Sequence, residues 1–372
     1  MRVGIISTNG GWGGSESLWV ALANSAIRKR HAVTVLGFKT PTRVAQMKGL
    51  QEMGAGMIWR PMKGMARLLS RFANSPGSRF LSWHPDVVCI SQGGTYDCMN
   101  SKQFSRLPGL LSKRGIPYVI VCHGNIEMDI PSDAQRTRAV AFFLGADRLV
   151  FVADRMRMLA ERQLAQALPN AVVLRNPLNL KTFSAVPWPV GKSMRFAIVG
   201  RLDAAIKGHD VLFESLAGEP WRHRDWRLRV VGDGPSATYL RCLSAFYGIE
   251  SRVDFLGHVE DIRAVWADNH LAVIASRTEG LPLTLEESML CSRPALVTDV
   301  GAITEWVREP ISGFVAEGAN PRVLAAAFER AWAARSVWSE IGSRARALAL
   351  SKYDPAPCEK LLGLLEEARA RG

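Results

Sequence analysis

Two glutamates stand eight residues apart in the stretch SRTEGLPLTLEESM, Ser276 to Met289. Thr284 followed three positions later by Glu287 has the form of a capping box, which is reason enough for one of them. It leaves Glu279 unexplained, because Gly280–Leu281–Pro282 after it is a poor helical segment. A helix starting near Thr284 would offer free N–H groups to an anion. Carboxylates beside an anion repel it, so a ligand that satisfies both must carry hydroxyls next to its phosphate, as a sugar or a ribose does. Either Glu287 only caps a helix, or Glu279 and Glu287 face one ligand together.

Other stretches carry compatible chemistry. In VGRLDAAIKGHD, Val199 to Asp210, Arg201 and Lys207 flank a short loop directly after an apolar run. Arginine holds two phosphate oxygens at once and lysine acts as a point charge, a pair suited to a diphosphate. Two solvated surface charges is the plain alternative. The loop NGGWGGSES, Asn9 to Ser17, holds four glycines before a helix expected from Ser15, so backbone can approach a ligand closely. It is not GxGxxG, and no acid ends a second strand in the dinucleotide pattern, which argues against a nicotinamide cofactor. His123 in VIVCHGN stands just past a predicted strand, where a ligand contact competes with a structural role. VVGDGPSAT, Val230 to Thr238, reads as a tight strand-to-helix turn with Pro235 in the first helical turn.

The elements behind these loops alternate. Predicted strands are 3–7, 32–36, 86–91, 117–122, 148–152 and 172–174, then 195–199, 228–231, 253–256, 271–275 and 295–298. Amphipathic segments separate many of them, so the fold class is α/β with parallel strands and helical crossovers. Residues 177–194, with Pro177, Pro187 and Pro189, read as a linker. The expected organisation is a Rossmann-like domain over 1–176, that linker, a second Rossmann-like domain over 195–354, and a polar helix over 355–372 able to pack across either. Ligands bind such sheets at the carboxyl ends of the strands, and a cleft between two facing sheets is the expected site.

Composition narrows the class. The chain has 372 residues, enough for two domains, and no apolar run of membrane-spanning length. Its start, MRVGIISTNGG, reads as a strand and turn rather than a signal peptide. Six cysteines without ligand spacing read as free thiols in a reducing cytoplasm. Residues 1–176 hold 23 Lys and Arg against 10 Asp and Glu, a net of +13 that equals the whole chain's. Such one-sided charge points to an anionic partner, with solubility as the alternative. RPMKGMARLLSRF, Arg60 to Phe72, sets Arg60, Lys63, Arg67 and Arg71 at helical spacing opposite apolar residues, as a helix lying on an anionic membrane does. No recognised nucleic-acid motif accompanies the charge.

Taken together the chain resembles a retaining GT-B glycosyltransferase of family 4 (group 1). The residues that carry the resemblance are GGSE (Gly13 to Glu16), CHG (Cys122 to Gly124), NPLNLKTF (Asn176 to Phe183), VGRLDAAIKGHDVL, VGDGP, VDFLGHVED (Val253 to Asp261), Glu279 with Glu287, and TDVGAITEWV (Thr298 to Val307). The resemblance implies that Arg201 and Lys207 hold the donor diphosphate, Glu287 the ribose, and Glu279 the transferred sugar. It places the amides of Leu283 and Thr284 on the phosphates. Gly13 and Gly14 would line the donor–acceptor cleft, with Val253 among the donor contacts and His123 near the reacting carbon. It implies a nucleotide-sugar donor, a glycan or lipid-linked acceptor, no metal or other cofactor, and no nucleic acid. The expected location is cytoplasmic, peripheral at the inner face of the membrane. Rival readings are a nucleotide-sugar epimerase or sugar phosphorylase of the same fold, and a non-enzymatic nucleotide-sugar-binding subunit.

Overall fold

The structure is a computed structural model that describes residues 1–61, 75–101, 104, 106–180, 182–191 and 193–372. From Met62 onward, the basic segment expected at Arg60–Phe72 lies outside the described residues. The chain divides into two units: Met1–Pro177 together with Asp354–Gly372, and Leu178–Tyr353.

In the first unit seven strands form one parallel sheet. They are β1 (Arg2–Ser7), β2 (Ala32–Phe38), β3 (Gly56–Arg60), β4 (Val87–Gln92), β5 (Tyr118–Cys122), β6 (Arg148–Phe151) and β7 (Ala171–Val173). Their spatial order is β3-β2-β1-β4-β5-β6-β7. The central strands are buried along almost their whole length and mostly apolar, as sheets covered by helices on both faces require. The strand order reverses direction between β1 and β4, which opens a crevice at their carboxyl ends.

The second unit repeats the plan with β8 (Met194–Val199), β9 (Trp226–Val231), β10 (Val253–Gly257), β11 (Leu271–Ile274), β12 (Ala295–Thr298) and β13 (Gly313–Ala316). All run parallel in the order β10-β9-β8-β11-β12-β13, with the reversal between β8 and β11. Its core is aromatic: the Phe196 ring packs against Trp221, Trp226, Phe328 and Trp338 at centroid distances of 5.8–6.2 Å.

The α/β, doubly wound class expected from the sequence is what the structure has. Two strands were not expected, β3 and β13. Both are short edge strands opening on glycine, with weak apolar runs. The proline-bearing stretch after Pro177 is packed rather than loose. Arg263 donates to the Thr182 and Ser184 carbonyls at 2.9 Å each, and Arg293 donates to the Pro187 carbonyl. The C-terminal helix Pro357–Arg371 is not polar all round: Leu361, Leu362, Leu365 and Ala368 are buried in the first unit's core beside Leu18 and Leu22 of the helix Gly14–Arg28.

Candidate active site

The second unit assembles most of the expected donor residues at its switch point. Gly200 follows β8, and Lys207 reaches back over it; a Cβ on Gly200 would lie 3.5 Å from Lys207 Cε. The Lys207 turn is clipped to the end of β11 by Arg277 N–H donating to the Ile206 carbonyl at 2.8 Å. Gly208 makes this possible, since its φ is +65° and a Cβ would stand 1.9 Å from the Ala275 carbonyl oxygen. Lys207 Nζ consequently donates to Glu279 Oε1 at 2.5 Å. The same oxygen accepts from Ser276 Oγ at 2.7 Å, and Ser276 is itself tied down by Thr298 Oγ1 donating to its carbonyl at 2.6 Å. Gly301, at φ +56°, completes the support, because a Cβ there would be 2.2 Å from the Glu279 carbonyl oxygen.

An ammonium has three donors, and one is used on Glu279. Two remain for other acceptors, while Glu279 Oε2 keeps its capacity to accept a further hydrogen bond. Beside them the helix Leu283–Leu290 starts after Pro282 with no side-chain cap, so the Leu283 and Thr284 amides head its free N-terminus. Arg201 projects into solvent, its side chain 59% exposed and 4.0 Å from Asp203. VGDGP supports it from beneath: Leu202 N–H donates to the Asp233 carbonyl at 2.9 Å, and a Cβ on Gly232 would meet the Gly200 carbonyl oxygen at 2.0 Å.

Three expectations need correction. The capping box at Thr284–Glu287 does not form, because the helix begins at Leu283 and places Glu287 in its second turn. Glu287 is instead 4% exposed, and burial pushes its carboxyl up to about 7, with the Asn179 backbone N–H acting in the opposite direction. Val253 is not with the others: it sits at the amino end of β10 in the core, with the whole strand between it and the carboxyl end. Pro235 stands in the turn ahead of the helix Ala237–Phe246 rather than in its first turn.

The first unit gathers its own set at the carboxyl ends of β1, β4 and β5. Gly13 precedes the helix Gly14–Arg28, whose Glu16 side chain folds back to accept from Gly13 N–H at 3.0 Å and Ser15 Oγ at 2.7 Å. Arg43, from the helix Pro41–Glu52, pairs with Glu16 at 2.8 Å, both side chains at 2% exposure or less. Sequence spacing gave no sign of Arg43. His123 follows β5 and bonds Ser91 Oγ through Nε2 at 3.1 Å. Burial pushes its pKa down to about 4; the Asn176 side chain is close enough to oppose this, but Nδ1 has no partner in hydrogen-bonding geometry. The ring is therefore neutral at pH 7. A cavity of about 570 Å³ lined by Pro108, Tyr118, Arg138 and Phe142 lies at the opposite, amino end of β5.

The architecture defines the class first: two doubly wound parallel units of the GT-B type. Residues 193–334 match the family described as Glycosyl transferases group 1, so the chain carries a group 1 glycosyltransferase domain on a GT-B fold. Among curated proteins it is similar to an exopolysaccharide phosphotransferase of Streptomyces coelicolor, 27% identical over 203 residues, 54% of this chain. The chain spans only 21% of that relative's length. Among solved structures, Anabaena HepE in complex with UDP superimposes with a TM-score of 0.74 at 17% identity, covering 99% of this chain and 100% of that one. The lipopolysaccharide outer core galactosyltransferase WaaB does so with a TM-score of 0.68 at 16% identity, covering 99% of each. At such identities these two likenesses speak for the fold alone.

Proposed function

We propose that the chain is a retaining, metal-independent glycosyltransferase that moves a sugar from a nucleoside diphosphate sugar to a cell-envelope polysaccharide, lipopolysaccharide or glycolipid acceptor. The observation that carries the reading is the Lys207–Glu279–Ser276 cluster at the β8/β11 switch point, beside the uncapped N-terminus of Leu283–Leu290. In the transfer the bond between the anomeric carbon and the diphosphate oxygen breaks, and its electron pair leaves with the diphosphate. Arg201, the two spare donors of Lys207 and the Leu283 and Thr284 amides take up that charge. The acceptor hydroxyl attacks from the face the diphosphate leaves, and its proton passes to the departing phosphate, so Glu279 orients the sugar rather than attacking it. Glu287 holds the ribose. In the first unit Gly13, Gly14 and the neutral imidazole of His123 contact the sugar and the acceptor.

UDP is the first base to test, because HepE binds UDP in its structure. Thermal unfolding in EDTA against UDP, GDP, ADP and CMP is the experiment. UDP at about 100 times its dissociation constant should stabilise the protein by ~2.7 kcal/mol, a clear melting shift. No shift from any of the four would overturn the donor site. Among the described residues no helix is long and apolar enough to cross a membrane. The +13 of residues 1–176 supports peripheral attachment at an anionic inner surface. Sedimentation with anionic liposomes should show binding that 0.5 M salt reverses, and salt-insensitive or absent binding would remove that attachment.

A further inference from the structure

We infer that Arg43 is the positioning residue of the glycine loop, holding the Gly10–Ser15 backbone in the shape that receives substrate. The inference rests on the glycosyltransferase reading for what the loop does, and on geometry for how it is held. Arg43 spends its fork on three acceptors in that loop and its strand: Nε donates to the Gly11 carbonyl at 3.0 Å, and Nη2 to Ser7 Oγ at 3.1 Å and Glu16 Oε1 at 2.8 Å. Glu16 passes the constraint on, since its other oxygen accepts from Gly13 N–H and Ser15 Oγ. Asn9 closes the loop on the far side, accepting from Gly11 N–H at 3.0 Å and donating to Ser15 Oγ at 3.1 Å. Both ends of Gly11–Gly13 are therefore fixed through one guanidinium.

A second consequence is electrostatic. An uncompensated acid in the first turn would repel an anion approaching the Gly14 and Ser15 amides. Arg43 turns Glu16 inward and neutralises it. Room for the guanidinium comes from β2, where a Cβ on Gly37 would lie 3.1 Å from Arg43 Nη1. A lysine at position 43 keeps the charge and loses the fork, and this separates positioning from neutralisation.

Two variants of the full chain test the inference. Arg43→Lys should stay folded and keep the wild-type UDP melting shift, which belongs to the second unit. Its transfer rate should fall by roughly 10- to 100-fold, the effect of misplacing a positioned group. Amide exchange over Gly10–Ser17 should quicken at least tenfold while β1 exchanges as before. The neutral pair Glu16→Gln with Arg43→Met should fold, since buried ion pairs are often replaceable, yet remain as slow as Arg43→Lys. Wild-type transfer and loop exchange in Arg43→Lys, or recovery of transfer in the neutral pair, would overturn the inference. If the wild-type chain transfers no sugar, the glycosyltransferase reading fails on its own. The exchange of Gly10–Ser17 in Arg43→Lys then still decides whether Arg43 holds the loop.

Discussion

At the scale of single residues, the two glutamates that share a spacing have opposite environments. Glu279 is held by Lys207 and Ser276, so it is a fixed carboxylate with one free oxygen. Glu279→Ala should lower the transfer rate by on the order of 100-fold, as loss of a positioned contact does. It should leave UDP affinity nearly intact, since Lys207 then has all its donors for phosphate; calorimetric titration showing lost UDP binding would refute the role. Glu287 is buried with its pKa raised to about 7, against 4.5 when unfolded. Between these values the folded state holds a proton that the unfolded state has released. Its contribution is therefore complete below pH 4.5 and is lost as pH rises through 7, a difference of ~3 kcal/mol at ~1.4 kcal/mol per pH unit. The stability of Glu287→Gln relative to wild type should accordingly grow by about that amount between pH 4 and pH 8 in urea titrations. A pH-independent difference would mean that the carboxyl ionises normally. Ribose hydroxyls donate to a carboxylate, so wild-type UDP affinity should rise more steeply through pH 7 than that of the glutamine variant, where only the second ionisation of the UDP phosphate remains. Both glutamates were legible from their spacing, but the burial of Glu287 was not, because the cover of a helical residue is set by tertiary packing that the local sequence does not encode. Arg43 was invisible for the same reason: its partner Glu16 is 27 residues away on a different helix.

Elements explain why loops rather than strands carry the chemistry. Each reversal of strand order leaves a gap in the helical cover, and the loops after β1 and β8 fall into those gaps. Central strands were legible because they are mostly apolar and bounded by turn residues. The strands β3 and β13 were not, since each is short and opens on a glycine that reads as a turn residue. The first turn of Leu283–Leu290 was misread in a related way. Thr284 and Glu287 have capping-box spacing, but the chain enters through Pro282 in an extended conformation two residues before Thr284, so the helix start overrides the local pattern. Glycines in the second unit matter by contact as much as by conformation. Gly208→Ala would place a methyl 1.9 Å from the Ala275 carbonyl oxygen at a φ of +65°. Left-handed backbone alone costs about 1–2 kcal/mol for alanine, and the overlap adds to it. The turn must move, taking Lys207 off Glu279. The variant should therefore lose UDP affinity, whereas Gly363→Ala, where the added methyl meets nothing within 4 Å, should not. Equal UDP titrations for the two would show that the turn does not set the Lys207 position.

For the whole molecule, the helix Pro357–Arg371 is what makes the first unit depend on residues distant in sequence. Ser25 Oγ donates to Glu359 Oε1 at 2.5 Å across a sequence separation of 334, and Lys29 pairs with the same carboxylate at 2.7 Å. These exposed charges add little. The weight falls on Leu361, Leu362 and Leu365, fully buried against Leu18, Leu22 and the sheet. The sequence reads as a polar helix here, and neither its buried face nor its partner was legible, because nothing local tells a helix which sheet it will cover. Leu361→Ala should remove about 2–5 kcal/mol, the range for a buried leucine in a packed core. At ~2–4 °C per kcal/mol for a unit of this size, calorimetry should show one transition falling by roughly 4–20 °C. Since the residues proposed to hold the donor belong to Leu178–Tyr353, UDP should still raise a second transition by its wild-type amount. Loss of the UDP effect in Leu361→Ala would mean that the terminal helix supports the donor unit as well, and that the two units do not unfold separately.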